Sequence, residues 1–202
     1  MLTWACIKNN FKMIESNTFE ETTFKGDDFS HKKVQDTFVN CRFLQCNFTE
    51  ALLRGAKFIS CSFVGCNFSL TKLEGCRLQD VQFNECKVIG GAFFKCEGTF
   101  FSANFKSCLL QYCNFSGLQL KNGQFLESKL RECHFNNTQL HGAKFDETDL
   151  SGTLFHNTDL SNADFSKAFN YDIDPRTNKI KKAKFSLPEA VALLRGFEIE
   201  IL

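Results

Sequence analysis

From residue 100 to residue 165 every fifth position is apolar, and Phe and Leu alternate there without a miss. The series runs Phe100, Phe105, Leu110, Phe115, Leu120, Phe125, Leu130, Phe135, Leu140, Phe145, Leu150, Phe155, Leu160, Phe165. A helix repeats its buried face every 3.6 residues and a strand every 2, so neither explains a period of five. A chain with that period must turn a corner every five residues and return to the same axis. The pattern therefore predicts a square solenoid with one inward centre per side.

Two further blocks precede this run. The first has centres Ile14, Phe19, Phe24, Phe29 and Val34. The second runs Phe38, Phe43, Phe48, Leu53, Phe58, Phe63, Phe68, Leu73, Leu78, Phe83, Val88 and Phe93. The register breaks near 34–38 and 93–100 read as local distortions of one solenoid, since no Pro/Gly/Ser linker separates the blocks. If four pentapeptides make one coil, residues twenty apart stack. Phe105, Phe125, Phe145 and Phe165 then form one ladder, and Phe115, Phe135 and Phe155 a second on the facing side. The Leu centres fill the other two sides. Nearly eight coils at about 4.8 Å each give a rod roughly 37 Å long.

The chain has 11 Cys and 25 Phe in 202 residues. Cys41, Cys46, Cys61, Cys66, Cys76, Cys86, Cys108, Cys113 and Cys133 all lie two residues before a centre, a slot otherwise held by small residues such as Ala51, Ala143, Ser128 and Thr148. The slot predicts small buried fillers rather than disulfides or metal ligands. No Cys-x-x-Cys pair is present, and the spacings of five are those of the repeat. No metal or other cofactor is expected.

Residues 1–185 read as the repeat domain and residues 186–202 as a capping and dimerisation segment. Ser186 and Glu189 have the spacing of a capping box, with Ala190 to Leu194 as helix body and Gly196 as its stop. Phe197 to Ile201 then alternates as a short strand. Such a strand is not stable alone, and a second copy of the chain is the economical partner. The expected dimer interface is Leu187, Val191, Leu194, Phe197, Ile199 and Ile201.

The motif of a small residue two before Leu or Phe, as in Ala143-Lys144-Phe145-Asp146-Glu147 and Ala163-Asp164-Phe165-Ser166-Lys167, resembles the pentapeptide repeat family over about residues 14 to 169. That resemblance implies an all-β fold, a right-handed quadrilateral β-helix. The segments Asn170-Tyr171-Asp172-Ile173-Asp174-Pro175 and Lys181 to Ala190, with Leu193-Leu194 and Glu198 to Ile201, are similar to the tail of the gyrase-protecting subgroup. That subgroup comprises the Qnr, MfpA, AlbG and McbG types, and the tail is most similar to the albicidin-immunity type. It implies a homodimeric, cytoplasmic bacterial protein that mimics duplex DNA. Such a protein binds DNA gyrase or topoisomerase IV and protects it from inhibitors. The alternative is a rigid interaction scaffold with another partner.

Formal net charge is only +1, which points to neither nucleic acid nor a membrane as partner. Its distribution is uneven. Residues 145–174 carry seven acidic groups and one basic, and the acids Asp146, Glu147, Asp149, Asp159, Asp164, Asp172 and Asp174 are the candidate gyrase-facing surface. The competing reading is a solvated face of a repeat that favours Asp in its polar slots. No nucleophile motif accompanies the four His, no Gly-rich phosphate loop is present, and no apolar run is long enough to span a bilayer, so an enzyme is not expected.

Overall fold

The computed structural model describes residues 17–197, 199 and 200. Ile14, Ile201 and the whole N-terminal segment before residue 17 lie outside the described residues, as does Glu198. The chain winds as a parallel β-solenoid whose strands are two to four residues long. Four columns of centres define four faces. On the first, Thr18–Glu20, Thr37–Val39, Lys57–Ile59 and Arg77–Gln79 make a four-stranded sheet. The second carries six strands, from Thr23–Lys25 to Phe125–Leu126. The third carries three, Lys87–Ile89, Leu109–Gln111 and Lys129–Arg131. On the fourth, and along the rest of the rod, single bridges such as Lys33–Leu52 and Leu52–Lys72 continue the pairing. Each strand is too short to stand alone, so stacking on the coils above and below stabilises it.

The corners explain the period. The residue two after most centres adopts left-handed backbone, with φ from 48° at Glu21 to 58° at Leu70 among non-glycines. Asn, Glu, Gly and Ser dominate these positions, and no β-branched residue occupies any of them. Left-handed backbone crowds Cβ against the following carbonyl, and branching at Cβ makes that worse.

Inside, Phe24, Phe43, Phe63, Phe83, Phe105, Phe125, Phe145, Phe165 and Phe185 stack along the second face, with centroids 4.6 to 5.4 Å apart. Phe93, Phe115, Phe135 and Phe155 stack along the fourth. The two columns meet edge to face across the axis, as at Phe105–Phe115 (5.8 Å) and Phe125–Phe135 (5.5 Å). Both geometries suit the ring quadrupole. In the N-terminal half the facing pair is instead the first face (Phe19, Phe38, Phe58) and the third (Phe29, Phe48, Phe68). The pattern changes at Leu78, Val88 and Phe93. A residual cavity of about 10 Å³ lies at that change, lined in part by Leu73, Leu78, Val88 and Phe93.

The slot two before each centre does more than fill space. Thr153 Oγ1 donates to the carbonyl of Leu130 in the preceding coil at 2.7 Å, and Thr71 Oγ1 to that of Phe48 at 2.7 Å. Cys61 and Cys133 point Sγ at the carbonyls of Phe38 and Leu110, both at 3.4 Å. The slot residue thus supplies a donor to a buried carbonyl. Ten cysteines are free and buried. Burial pushes the Cys96 thiol up to about 12, so it stays protonated.

Three register shifts are present. Phe24 pairs with Phe43, one residue short of a full coil. Phe83 pairs with Phe105, two residues over, and the excess forms 3-10 turns at Phe93–Lys95 and Gly98–Phe100. This insertion corrects one expected centre. Phe100 is 40% exposed, beneath the Arg77 guanidinium at 4.0 Å, and Phe101 is the buried residue. The third shift is one the repeat pattern does not announce. Leu154 bridges Asp172, two residues short, and the count is restored by the time Asp159 bridges Lys179.

The C-terminal cap also differs from expectation. Glu189–Phe197 is a 3-10 helix that includes Gly196, against which the Arg176 guanidinium packs so closely that a Cβ there would displace it. Ser186 does not cap it: its hydroxyl donates to the Ser166 carbonyl one coil away. Ile199 and Glu200 form no strand, since a single chain offers them no partner edge. Ala192 and Leu193 pack on the core and close the end of the rod.

Two stability outcomes follow from the slot and the corner. Thr153→Val removes the donor to the buried Leu130 carbonyl, and urea unfolding is expected to show a loss of about 1–3 kcal/mol that Thr153→Ser largely avoids. Glu147→Val places a branched side chain at a corner of φ 53°. It is expected to cost about 1–2 kcal/mol in the same assay, whereas Glu147→Gly does not.

Candidate functional site

The residue before each centre often forms a local turn that fixes its side chain. Asn47 Oδ1 accepts from the Thr49 amide at 3.1 Å and hydroxyl at 2.7 Å, and Asn67 does the same with Ser69. Three of the candidate acids at this position do the same. Asp149, Asp159 and Asp164 accept the amides of Ser151, Ser161 and Ser166 at 3.2, 3.0 and 3.0 Å. Their carboxylates therefore serve the backbone first.

The solenoid does not bring the seven acids onto one surface. Asp159 lies on the first face, Asp146 and Asp164 on the second, Asp149 on the third and Asp172 on the fourth. Glu147 stands at the corner between the second and third faces, and Asp174 at the end of the fourth. Together they form a belt around the rod. Asp149 is buried, while Asp146, Glu147 and Asp172 are exposed.

Most of the belt is charge-paired. Lys167 Nζ lies 3.3 Å from Asp146, Lys184 Nζ 3.2 Å from Asp164, Arg131 Nε 3.5 Å from Asp149 and Arg176 2.8 Å from Asp174. Asp164 sits in a column between Lys144 and Lys184. Burial pushes the Asp149 carboxyl up, but hydrogen bonds from Ser151 and Asn170 and the Arg131 charge outweigh it and leave it below its ordinary value. The Ser161 and Ser166 hydroxyls do the same for Asp159 and Asp164, aided by Lys179 and Lys184.

At the C-terminal end, Leu187, Val191, Leu194, Phe197 and Ile199 are 79, 40, 39, 47 and 56% exposed. They are apolar side chains on one short segment, in contrast to the belt. No group of three His, Cys, Asp or Glu side chains among the described residues could hold a metal ion, and no helix there is long and apolar enough to cross a membrane.

One feature escapes linear reading. On the fourth face a groove of about 570 Å³ is lined by Lys33, Leu52, Arg54, Lys72, Glu74 and Gly75. Its members are nineteen or twenty residues apart in sequence and adjacent only after coiling.

The architecture is that of a four-sided parallel β-solenoid. Family profiles described as a pentapeptide repeat region and as pentapeptide repeats match residues 36–99, 100–137 and 133–169. The chain belongs to the pentapeptide repeat family. Among solved structures it is similar to a trypsin-treated variant of QnrB1, a plasmid-mediated fluoroquinolone resistance protein. The TM-score is 0.50 at 20% identity, over 93% of this chain and 98% of that one. Full-length QnrB1 matches with a TM-score of 0.47 at 21% identity, over 90% and 100% of the two chains. HetL, involved in heterocyst differentiation regulation in the cyanobacterium Nostoc sp. strain PCC 7120, matches with a TM-score of 0.28 at 18% identity, over 85% and 87%. These likenesses concern the fold. No curated protein matches the chain.

The depressed carboxyls fix a pH dependence. A carboxyl held below its unfolded value contributes stability above that value and loses it as pH falls through the folded value. The melting temperature is therefore expected to drop below about pH 4. Replacing Asp149, Asp159 and Asp164 together by Asn keeps the local turns and removes the charges. Thermal melts between neutral pH and pH 3 should show a shallower acid limb for that variant.

Proposed function

We propose that this chain is a non-catalytic binding rod that engages DNA gyrase or topoisomerase IV and shields it from inhibitors. One observation carries the reading: the interior is filled from end to end by stacked rings and small donors. Among the described residues such packing leaves little room inside for a substrate, which favours binding along the outer faces. The gyrase assignment draws on the tail resemblance and on the QnrB1-like fold. A homodimer through Leu187, Val191, Leu194, Phe197 and Ile199 fits the exposed apolar cap, since a cluster of that kind marks a contact surface. Doubling the rod end to end would give a body of duplex-like proportions.

The acidic belt favours a second reading, a rigid scaffold for another protein. Duplex DNA carries about one charge per 1.7 Å, and those charges are not internally paired. Here Asp146, Asp149, Asp164 and Asp174 already face cations of the same chain. Any mimicry of DNA by this protein rests on shape more than on charge.

The test is gyrase supercoiling with a quinolone and with an albicidin-like poison. Protection by the purified protein is expected, together with a dimer mass in light scattering. An unprotected enzyme at all protein concentrations sinks the gyrase reading, and affinity capture of a different partner then supports the scaffold. A monomeric mass sinks the dimer.

A further inference from the structure

We propose that the fourth face between Lys33 and Lys72 is a docking surface for an acidic segment of a partner protein that carries an apolar anchor. Lys33, Leu52 and Lys72 form one column, each bridged to the next coil. Leu52, 43% exposed, is the apolar floor of the groove, and Arg54 adds a third cation on the same face. None of these three cations makes an ion pair among the described residues. Glu74, the acid in the lining, is taken by Lys95 at 2.9 Å. Some cations elsewhere on the rod are neutralised, as Arg77 is by a two-pronged bond to Glu97. The groove therefore presents a net positive rim, three cations to one acid, around a leucine.

The neighbouring corner supports a docking role. Leu70 and Tyr112 stand two coils apart in the same corner column, with Gly90 between them. Both hold left-handed backbone, at φ 58° and 54°, and are 49 and 60% exposed. Gly, Asn or Glu fills most such corners at less cost. A bulky apolar side chain there neither helps the turn nor reaches the core. Phe94, 46% exposed, belongs to the same side of the rod. An exposed leucine inside a basic rim, with further exposed apolar side chains beside it, complements an acidic segment that brings its own apolar side chain.

Nucleic acid fits less well. The groove floor is aliphatic, which gains nothing from a phosphate, and the exposed rings nearby, Phe94 and Tyr112, lie outside the groove lining, so a base stacked on them would not sit between the cations. The inference does not depend on which partner the rod as a whole serves, because it concerns this face and its chemistry alone.

The test uses the full-length protein and three fluorescent probes: a short peptide alternating Glu and Leu, its Lys/Leu counterpart, and duplex DNA. Polarisation should show saturable binding of the Glu/Leu peptide only. Lys33→Glu with Lys72→Glu should weaken it on the order of tenfold or more, Leu52→Ser should weaken it too, and Lys33→Arg with Lys72→Arg should retain it. Circular dichroism confirms that each variant folds. Absence of Glu/Leu binding, equal binding by the charge-reversed variant, or tighter binding of duplex DNA overturns the proposal. So does a charge reversal whose sole effect is on self-association in light scattering.

Discussion

A chain that turns a corner every five residues must spend one residue in five in left-handed backbone. Among the described residues twenty non-glycines and eight glycines do so. For an L-residue that conformation costs roughly 1–2 kcal/mol, so no single corner is stable by itself. What offsets it is repetition. Each coil hands its backbone donors and acceptors to the coils above and below, on all four faces, and leaves few of them unpaired. The strands are two to four residues long because the corners allow little more, and they exist because neighbouring coils repeat them.

Once the corners are set, the interior has little freedom. Each side offers one inward centre and one inward slot. Phe on facing sides fills the axis, with rings stacked along a column and edge to face across it. The slot must be small, and it must also answer the carbonyl that the preceding coil turns inward. Thr, Cys, Ser and Asn meet both conditions. Asn178 shows the second most clearly: its amide donates to the Phe155 carbonyl at 2.9 Å, and its oxygen accepts the Thr158 amide at 3.0 Å. Size alone selects Ala as readily as Thr, so the recurrence of side chains with a proton to give is the sign of the second condition.

The period and the stacked columns were legible in the sequence because they follow from spacing, and spacing survives folding unchanged. What was not legible depends on phase. The sequence series includes Phe100, yet the two extra residues before it are absorbed in 3-10 turns that carry Phe100 outward and Phe101 in. The shift at Asp172 follows the last regular centre, where no pattern remains to mark it. The helix near the C-terminus was legible, but its start was not: a capping box is a local signal, and the Ser186 hydroxyl is instead turned to the Ser166 carbonyl of the preceding coil.

The acidic segment shows the same distinction with more at stake for function. Counting charge along a linear stretch assumes that sequence neighbours share a surface. In a four-sided coil they do not: a step of five moves to the next face, and only a step of about twenty returns. Asp149, Asp159 and Asp164 are close in sequence and lie on three different faces. Lys33, Leu52 and Lys72 are far apart in sequence and lie in one column. A partner approaching a rod meets columns. It finds Asp164 between Lys144 and Lys184, a column whose charges already answer each other, and it finds Lys33 and Lys72 around a bare leucine, a column whose charges do not. Coulombic attraction to a partner is set by charge that the protein has left uncompensated. The acidic belt, though larger in formal charge, is in large part answered within the chain, at Asp146, Asp149, Asp164 and Asp174.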